Sequence, residues 1–253
     1  MVSTRMGRGL AICAIAAGCA GAEKQTTLPA PGKPEIAASL PAPAHEPLAV
    51  QEVEIRGRVD RLAEALRRPS IGVIGASDVW PGTIAEELQR LLRAFVPDAV
   101  VKSYGIGGQG SADILARFER QIVKNGHNIA ILSGLTIVNE IDPQAIRDNY
   151  PKMFGMAKEH GIPVIVYSVS PFGGFKKWSA GMQKKADDFD SWLRGRDDII
   201  LVDVSSLGEP AWPGGPLKLR GRFDSGDGIH PGIDGAHEEA RLIFESAFRP
   251  RMD

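Results

Sequence analysis

Five short apolar runs recur between residues 71 and 202, each separated from the next by a segment of helical length. They are Ile71-Gly72-Val73-Ile74, Ala99-Val100-Val101, Ile129-Ala130-Ile131-Leu132, Pro163-Val164-Ile165-Val166-Tyr167 and Ile199-Ile200-Leu201-Val202. Runs this short and this continuously apolar suit strands covered on both faces. Between them, residues 84–95, 112–124, 144–159 and 182–193 carry apolar side chains at helical spacing, as Ile84, Leu88, Leu91, Leu92 and Phe95 illustrate. Strands that alternate with helices pair in parallel through crossover connections. The expected fold is therefore a three-layer α/β/α sandwich on a five-stranded parallel sheet. In such sheets chemistry gathers beyond the carboxyl ends of the strands, which directs attention to the loops after Ile74, Val101, Leu132 and Tyr167.

The amino-terminal part of the chain has a different character. Arg5 and Arg8 precede Leu10-Ala11-Ile12-Cys13-Ala14-Ile15-Ala16-Ala17, an apolar run too short to span a bilayer and laid out like a secretory signal. Residues 1–22 are thus expected to direct export. Ala16-Ala17-Gly18-Cys19 resembles a bacterial lipobox, which makes Cys19 the expected lipidation site and any membrane attachment a lipid anchor; ordinary cleavage after Ala20-Gly21-Ala22 is the alternative. Residues 23–50 are rich in Pro and Ala with few large apolar groups, the composition of a semi-extended tether. Residues 51–68 read as a leading helix, and 69–250 as one domain of about 185 residues. Cys13 and Cys19 are the only cysteines, so the exported domain has no disulfide and no cysteine ligand or nucleophile. A hydrophobic content of 43% is enough for its core to supply stability unaided. The formal net charge of −1 argues against a nucleic-acid partner, which would require a clustered basic surface.

Three segments carry groups suited to acid–base or nucleophilic chemistry. Asp227-Gly228-Ile229-His230-Pro231 sets a carboxylate and an imidazole across a turn, so that Asp227 can accept from His230 Nδ1–H and leave Nε2 as a base; a surface cap is the plainer reading. The first apolar run leads into Gly75-Ala76-Ser77-Asp78, where a strand-to-helix turn can expose the Ser77 hydroxyl and aim its N–H at a developing oxyanion. Ser77 and Asp78 are also both good helix N-caps. After the second run, Ser103-Tyr104-Gly105-Ile106-Gly107-Gly108-Gln109-Gly110-Ser111 lets backbone N–H groups approach a ligand. It lacks the Lys-Ser/Thr ending of a P-loop, and no acidic ribose partner follows it, which sets nucleotide binding aside. His127, His160 and His237 show no metal-ligand spacing, so neither a metal nor an organic cofactor is expected. Asp224 stands close enough in sequence to compete for His230, although a turn Asp is the simpler account. Trp178, Trp192 and Trp212 fall in or near the segment 171–216, where Phe172-Gly173-Gly174-Phe175 reads as a mobile loop. These aromatics suit either core packing or a sugar or acyl site.

Taken in order, Gly75-Ala76-Ser77, the glycine loop, Gly134 and Asp227-Gly228-Ile229-His230-Pro231 resemble the ordered blocks of the SGNH (GDSL-type) hydrolases, over roughly residues 71–248. The resemblance implies a flavodoxin-like sheet, with Ser77 as nucleophile, His230 as base and Asp227 as its orienting partner. It also implies an oxyanion hole that includes the N–H groups of Ser77 and Gly108. Three positions depart from the family pattern. Ala76 stands where Asp is usual, Ser103 where Asn is usual, and Gly134-Leu135-Thr136-Ile137-Val138-Asn139 where Gly-x-Asn-Asp is expected. Thr136 thus occupies the slot of the oxyanion Asn, and a hydroxyl must rotate to donate where an amide is a fixed donor. Asn139 replaces it if the loop bulges, and is otherwise an ordinary loop or cap residue.

The function so implied is that of an exported serine esterase cleaving an acyl or acetyl ester of an envelope carbohydrate or lipid. Two alternatives share the fold: a glycan-binding envelope protein with weakened turnover, and an acyltransferase using the same triad.

Overall fold

The computed structural model describes Gly57, residues 61–80 and residues 82–252. The expected signal, Cys19, the expected tether and half of the expected leading helix lie outside the described residues; residues 61–65 of that segment are helical. Five strands, β1 (Ser70–Gly75), β2 (Val100–Gly105), β3 (Ile129–Ser133), β4 (Val164–Tyr167) and β5 (Ile200–Val202), form one parallel sheet in the order β2-β1-β3-β4-β5. Among the described residues, the sheet is connected and closed by α1 (Ile84–Arg93), α2 (Ser111–Phe118), α3 (Pro143–Glu159), α4 (Ala180–Arg194) and α5 (Ile233–Ile243). This is the flavodoxin-like order, whose direction of winding reverses between β1 and β3. A crevice therefore opens at the carboxyl ends of those two strands.

Period-two alternation along each central strand sorts the core into two layers. Ile71, Val73, Ile129, Ile131, Ile165 and Tyr167 face one way and pack with Ile84, Leu88 and Leu92 of α1 and Ala240 and Ile243 of α5. Ile74, Ala130, Leu132, Val164 and Val166 face the other way, against Ile114 of α2, Met153 and Phe154 of α3 and Phe189 of α4. Every residue of β3 is buried, so both layers depend on it. Truncating Leu132 to Ala would cost about 2–5 kcal/mol through lost transfer energy and the cavity left behind.

Three features depart from the expected pattern. β2 continues through Lys102-Ser103-Tyr104 to Gly105, because as an edge strand it pairs only with β1 and tolerates polar residues that break an apolar run. The helix expected over 112–124 changes to a π-helical turn at Glu119–Val123. A small antiparallel hairpin, β6 (Gly208–Pro210) with β7 (Leu217–Leu219), stands where no strand was expected. Among the described residues no helix is long and apolar enough to cross a membrane.

Candidate active site

β1 runs into a single 3-10 turn, Ser77–Val79, and the packing around that turn fixes where Ser77 stands. Gly105, at the end of β2, lies so close that a Cβ there would sit 2.1 Å from the Val79 carbonyl oxygen. The Ser103 hydroxyl donates to the same carbonyl. Asp78 is buried, and its Oδ2 accepts hydrogen bonds from the Tyr167 hydroxyl at 2.7 Å and from the Ser133 hydroxyl. Burial pushes its carboxyl above the ordinary range against the pull of those hydroxyls. Asp78 is thus an anchor that ties the turn to the ends of β3 and β4, and the adjacent Ser77 is left half-buried at the crevice.

The Asp–His turn meets this serine from the other end of the chain. Ser77 Oγ lies 2.7 Å from His230 Nε2, and His230 Nδ1 lies 2.5 Å from Asp227 Oδ2. Asp227 Oδ1 accepts the backbone N–H groups of Ile229 and His230 at 3.0 and 2.9 Å. Partial burial raises the Asp227 carboxyl, but these hydrogen bonds outweigh it and hold the group down to about 2. Gly228 makes the turn possible: its φ is +77°, and a Cβ would come within 2.2 Å of the Gly174 carbonyl oxygen. Asp224 does not compete for the imidazole. Its Oδ1 accepts from the N–H groups of Gly226 and Gly228 and so shapes the turn from behind.

The two candidates after β3 separate cleanly. Residues Gly134–Asn139 form a 3-10 segment in which Thr136 is fully buried. Thr136, expected in the donor slot, is instead a buried residue that does not line the cavity at Ser77. Asn139 instead lines the cavity that also holds Ser77, Gly108 and His230. Its Nδ2 donates to the Gln109 carbonyl at 3.0 Å, which ties the loop after β3 to the glycine loop and leaves the second N–H of the amide for another acceptor. Gly108, with φ of +75°, brings backbone into the same cavity.

Two residues that the sequence reading did not single out also shape the site. Arg117 of α2 is buried and donates to the Gly75 carbonyl at 2.8 Å, to the Tyr104 carbonyl at 2.6 Å and to Gln109 Oε1 at 2.8 Å. One guanidinium therefore fixes the end of β1, the end of β2 and the glycine loop; burial lowers its basicity from the usual value. Its position inside an apolar helical stripe was the available signal. Trp80 is 56% exposed, and a Cβ added at Gly107 would lie 3.6 Å from its ring and 3.7 Å from Ser77 Cβ. Such exposure of a large aromatic three residues past the serine marks the rim of the crevice.

The remaining candidates lie elsewhere. His127 is buried between the Ser70 hydroxyl at 3.0 Å and the Tyr104 hydroxyl at 2.8 Å, a satisfied core histidine. Trp178 and Trp212 pack edge to face at 5.5 Å, and Trp192 stacks on Phe189 beneath Arg196. Phe172 and Trp178 border a second cavity of about 780 Å³ between α4 and the β6–β7 hairpin, whereas Phe175 borders the one at Ser77.

No family model and no curated protein matches the sequence. Solved structures do match the fold. A GDSL-like lipase from Bacteroides thetaiotaomicron is 19% identical with a TM-score of 0.54, covering 78% of this chain and 99% of its own. The lipase/acylhydrolase from Enterococcus faecalis is 16% identical with a TM-score of 0.58, covering 70% and 94% respectively. A catalytic mutant of an acetylxylan esterase from Geobacillus stearothermophilus is 16% identical with a TM-score of 0.55, covering 70% and 93%. The sheet order, the placement of the crevice and these neighbours agree: the chain has the fold of the SGNH (GDSL-type) hydrolases.

Proposed function

We propose that this chain is a serine esterase that hydrolyses carboxylic esters, and that it works outside the cytoplasm. The observation that carries the reading is the unbroken hydrogen-bonded series Ser77–His230–Asp227 at the switch point of the sheet. Ser77 Oγ attacks the ester carbonyl as His230 Nε2 removes its proton, and Asp227 holds the imidazole in the tautomer that makes Nε2 basic. The tetrahedral oxyanion is received by the N–H groups of Ser77 and Gly108 and by the Asn139 amide. Collapse of this intermediate breaks the ester C–O bond, and His230 gives the proton to the departing alcohol. Water then attacks the acyl-Ser77 ester by the same steps in reverse order. The lipases and acetylxylan esterase that share the fold support ester chemistry. Export, with lipidation at Cys19, rests on the signal-like residues 1–22, and it makes acyl esters of envelope carbohydrate or lipid the natural class of substrate.

The test is covalent labelling with a fluorophosphonate together with hydrolysis of p-nitrophenyl esters. Labelling and turnover should both vanish in Ser77→Ala and fall at least a thousandfold in His230→Ala, on the order expected for triad members. Ester hydrolysis that survives Ser77→Ala would sink the proposal.

A further inference from the structure

We propose that the cavity at Ser77 is an acyl pocket, and that it selects esters of unbranched acids of about four to eight carbons over acetate esters. This rests on the esterase reading above and adds to it the part of the substrate that the site grips. The cavity measures about 460 Å³. Its walls come from the loop after β3 (Leu135, Val138), the loop after β4 and the first turn of α4 (Phe175, Met182), and the Asp–His turn (Ile229). Apart from Ser77, Asn139, Asp78, His230 and Asp227, already placed in the site or its support, the one ionisable or polar side chain that lines it is the exposed Lys177. An acetyl group would offer a single methyl to this surface and leave most of it wet.

The geometry points to the acyl group rather than the alcohol as occupant. The carbonyl carbon must lie between Ser77 Oγ and the oxyanion donors, and Asn139 sits on the same loop as Leu135 and Val138. The substituent on the carbonyl carbon therefore continues between that loop and Met182. The alcohol must lie where His230 can return a proton to it, and the His230 side chain is 34% exposed. A polymeric or headgroup alcohol has to extend into solvent, whereas a short acyl chain can lie wholly along the apolar walls of the cavity. Acyl transfer itself is the step already described: the Ser77 Oγ–acyl bond forms as the ester C–O bond breaks, and the alcohol leaves with the proton from His230.

Each methylene moved from water into such a surface is worth about fourfold in kcat/KM. The experiment is a series of p-nitrophenyl acetate, butyrate, hexanoate and octanoate, run on the wild type and on Met182→Trp, with fluorophosphonate labelling to report an intact site in each. The expected result is a rise of about threefold to fourfold per methylene up to hexanoate, and a hexanoate-to-acetate ratio about tenfold lower in Met182→Trp. A flat or falling series in wild-type protein that labels, or an unchanged ratio in labelled Met182→Trp, overturns the acyl-pocket assignment and leaves ester hydrolysis standing. Absence of both labelling and turnover in the wild type overturns the esterase reading, and this one with it.

Discussion

Replacing Glu239 by glutamine should remove a large share of the pH dependence of stability between pH 5 and pH 7. Glu239 projects from α5 into the core, fully buried, and its Oε1 accepts the Ser170 hydroxyl at 2.5 Å while Oε2 has no partner among the described residues. Burial raises its carboxyl from 4.5 to about 8, with the nearby Asp78 carboxyl adding to the rise. The folded protein therefore keeps a proton that the unfolded chain gives up. Such a group favours folding most below its unfolded value of 4.5, and the benefit is lost as pH climbs through the folded value of about 8. Linkage over that window puts the cost at about 1 kcal/mol at pH 5 and about 3 kcal/mol at pH 7. Glutamine keeps the acceptor for Ser170 and cannot ionise. Whatever fixed cost its extra N–H group brings is the same at both pH values and cancels. Relative to Glu239→Gln, the wild type should lose about 2 kcal/mol between pH 5 and pH 7, or about 4–8 °C in Tm for a domain this size. Urea unfolding of both proteins at the two pH values measures it. A difference between them that does not change from pH 5 to pH 7 would refute the argument that Glu239 is held neutral.

Asn139→Ala should lower kcat on the order of 10²–10³-fold with KM little changed if its amide is the proposed oxyanion donor, whereas Thr136→Val should leave kcat within about threefold, since Thr136 does not line the cavity. Steady-state kinetics on the two variants side by side decides between the two positions. Arg117→Met should destabilise the fold by about 3–5 kcal/mol, because the carbonyls of Gly75 and Tyr104 lose a buried charged donor; urea denaturation would show it, and a loss under about 1 kcal/mol would contradict it. Gly228→Ala should cost at least about 1–2 kcal/mol from left-handed backbone alone and reduce fluorophosphonate labelling, since the added methyl pushes the Asp–His turn off Gly174. Wild-type labelling rates in that variant would show that the turn accommodates a side chain.

The central sheet was legible because β1, β3 and β4 are covered on both faces and so spell themselves as continuous apolar runs. Their order of appearance, interrupted by helical stripes, was enough to fix parallel pairing. β2 was read short since its outer edge is unpaired, and Lys102 and Ser103 carry no periodic signal. The hairpin of β6 and β7 spans three residues per strand, too few for any pattern to show. Within the site, Ser77, Asp227 and His230 were found by residue type and spacing, and the structure brings them into hydrogen-bond contact. Spacing did not decide between positions 136 and 139 after β3, because nothing local says that Thr136 is buried while Asn139 reaches the cavity. Arg117, and the anchoring role of Asp78 beyond that of a possible cap, went unread for a related reason. Their partners are carbonyls and hydroxyls brought from strands far away in sequence, and no local motif announces such contacts.

The close approach of Gly228 to Gly174 has a consequence for how this site can change. The peptide that bends Asp227 toward His230 rests on the backbone of the segment that leads to Phe175, one wall of the cavity. The proposed machinery and the proposed acyl pocket therefore share a bearing surface. A loop grafted between β4 and α4 to widen or narrow the cavity would carry that surface with it. It would succeed only if the graft returned a bare main chain to the place where Gly174 now meets Gly228. Tuning of substrate range in this scaffold is consequently easier through side chains such as Met182 and Val138 than through loop length.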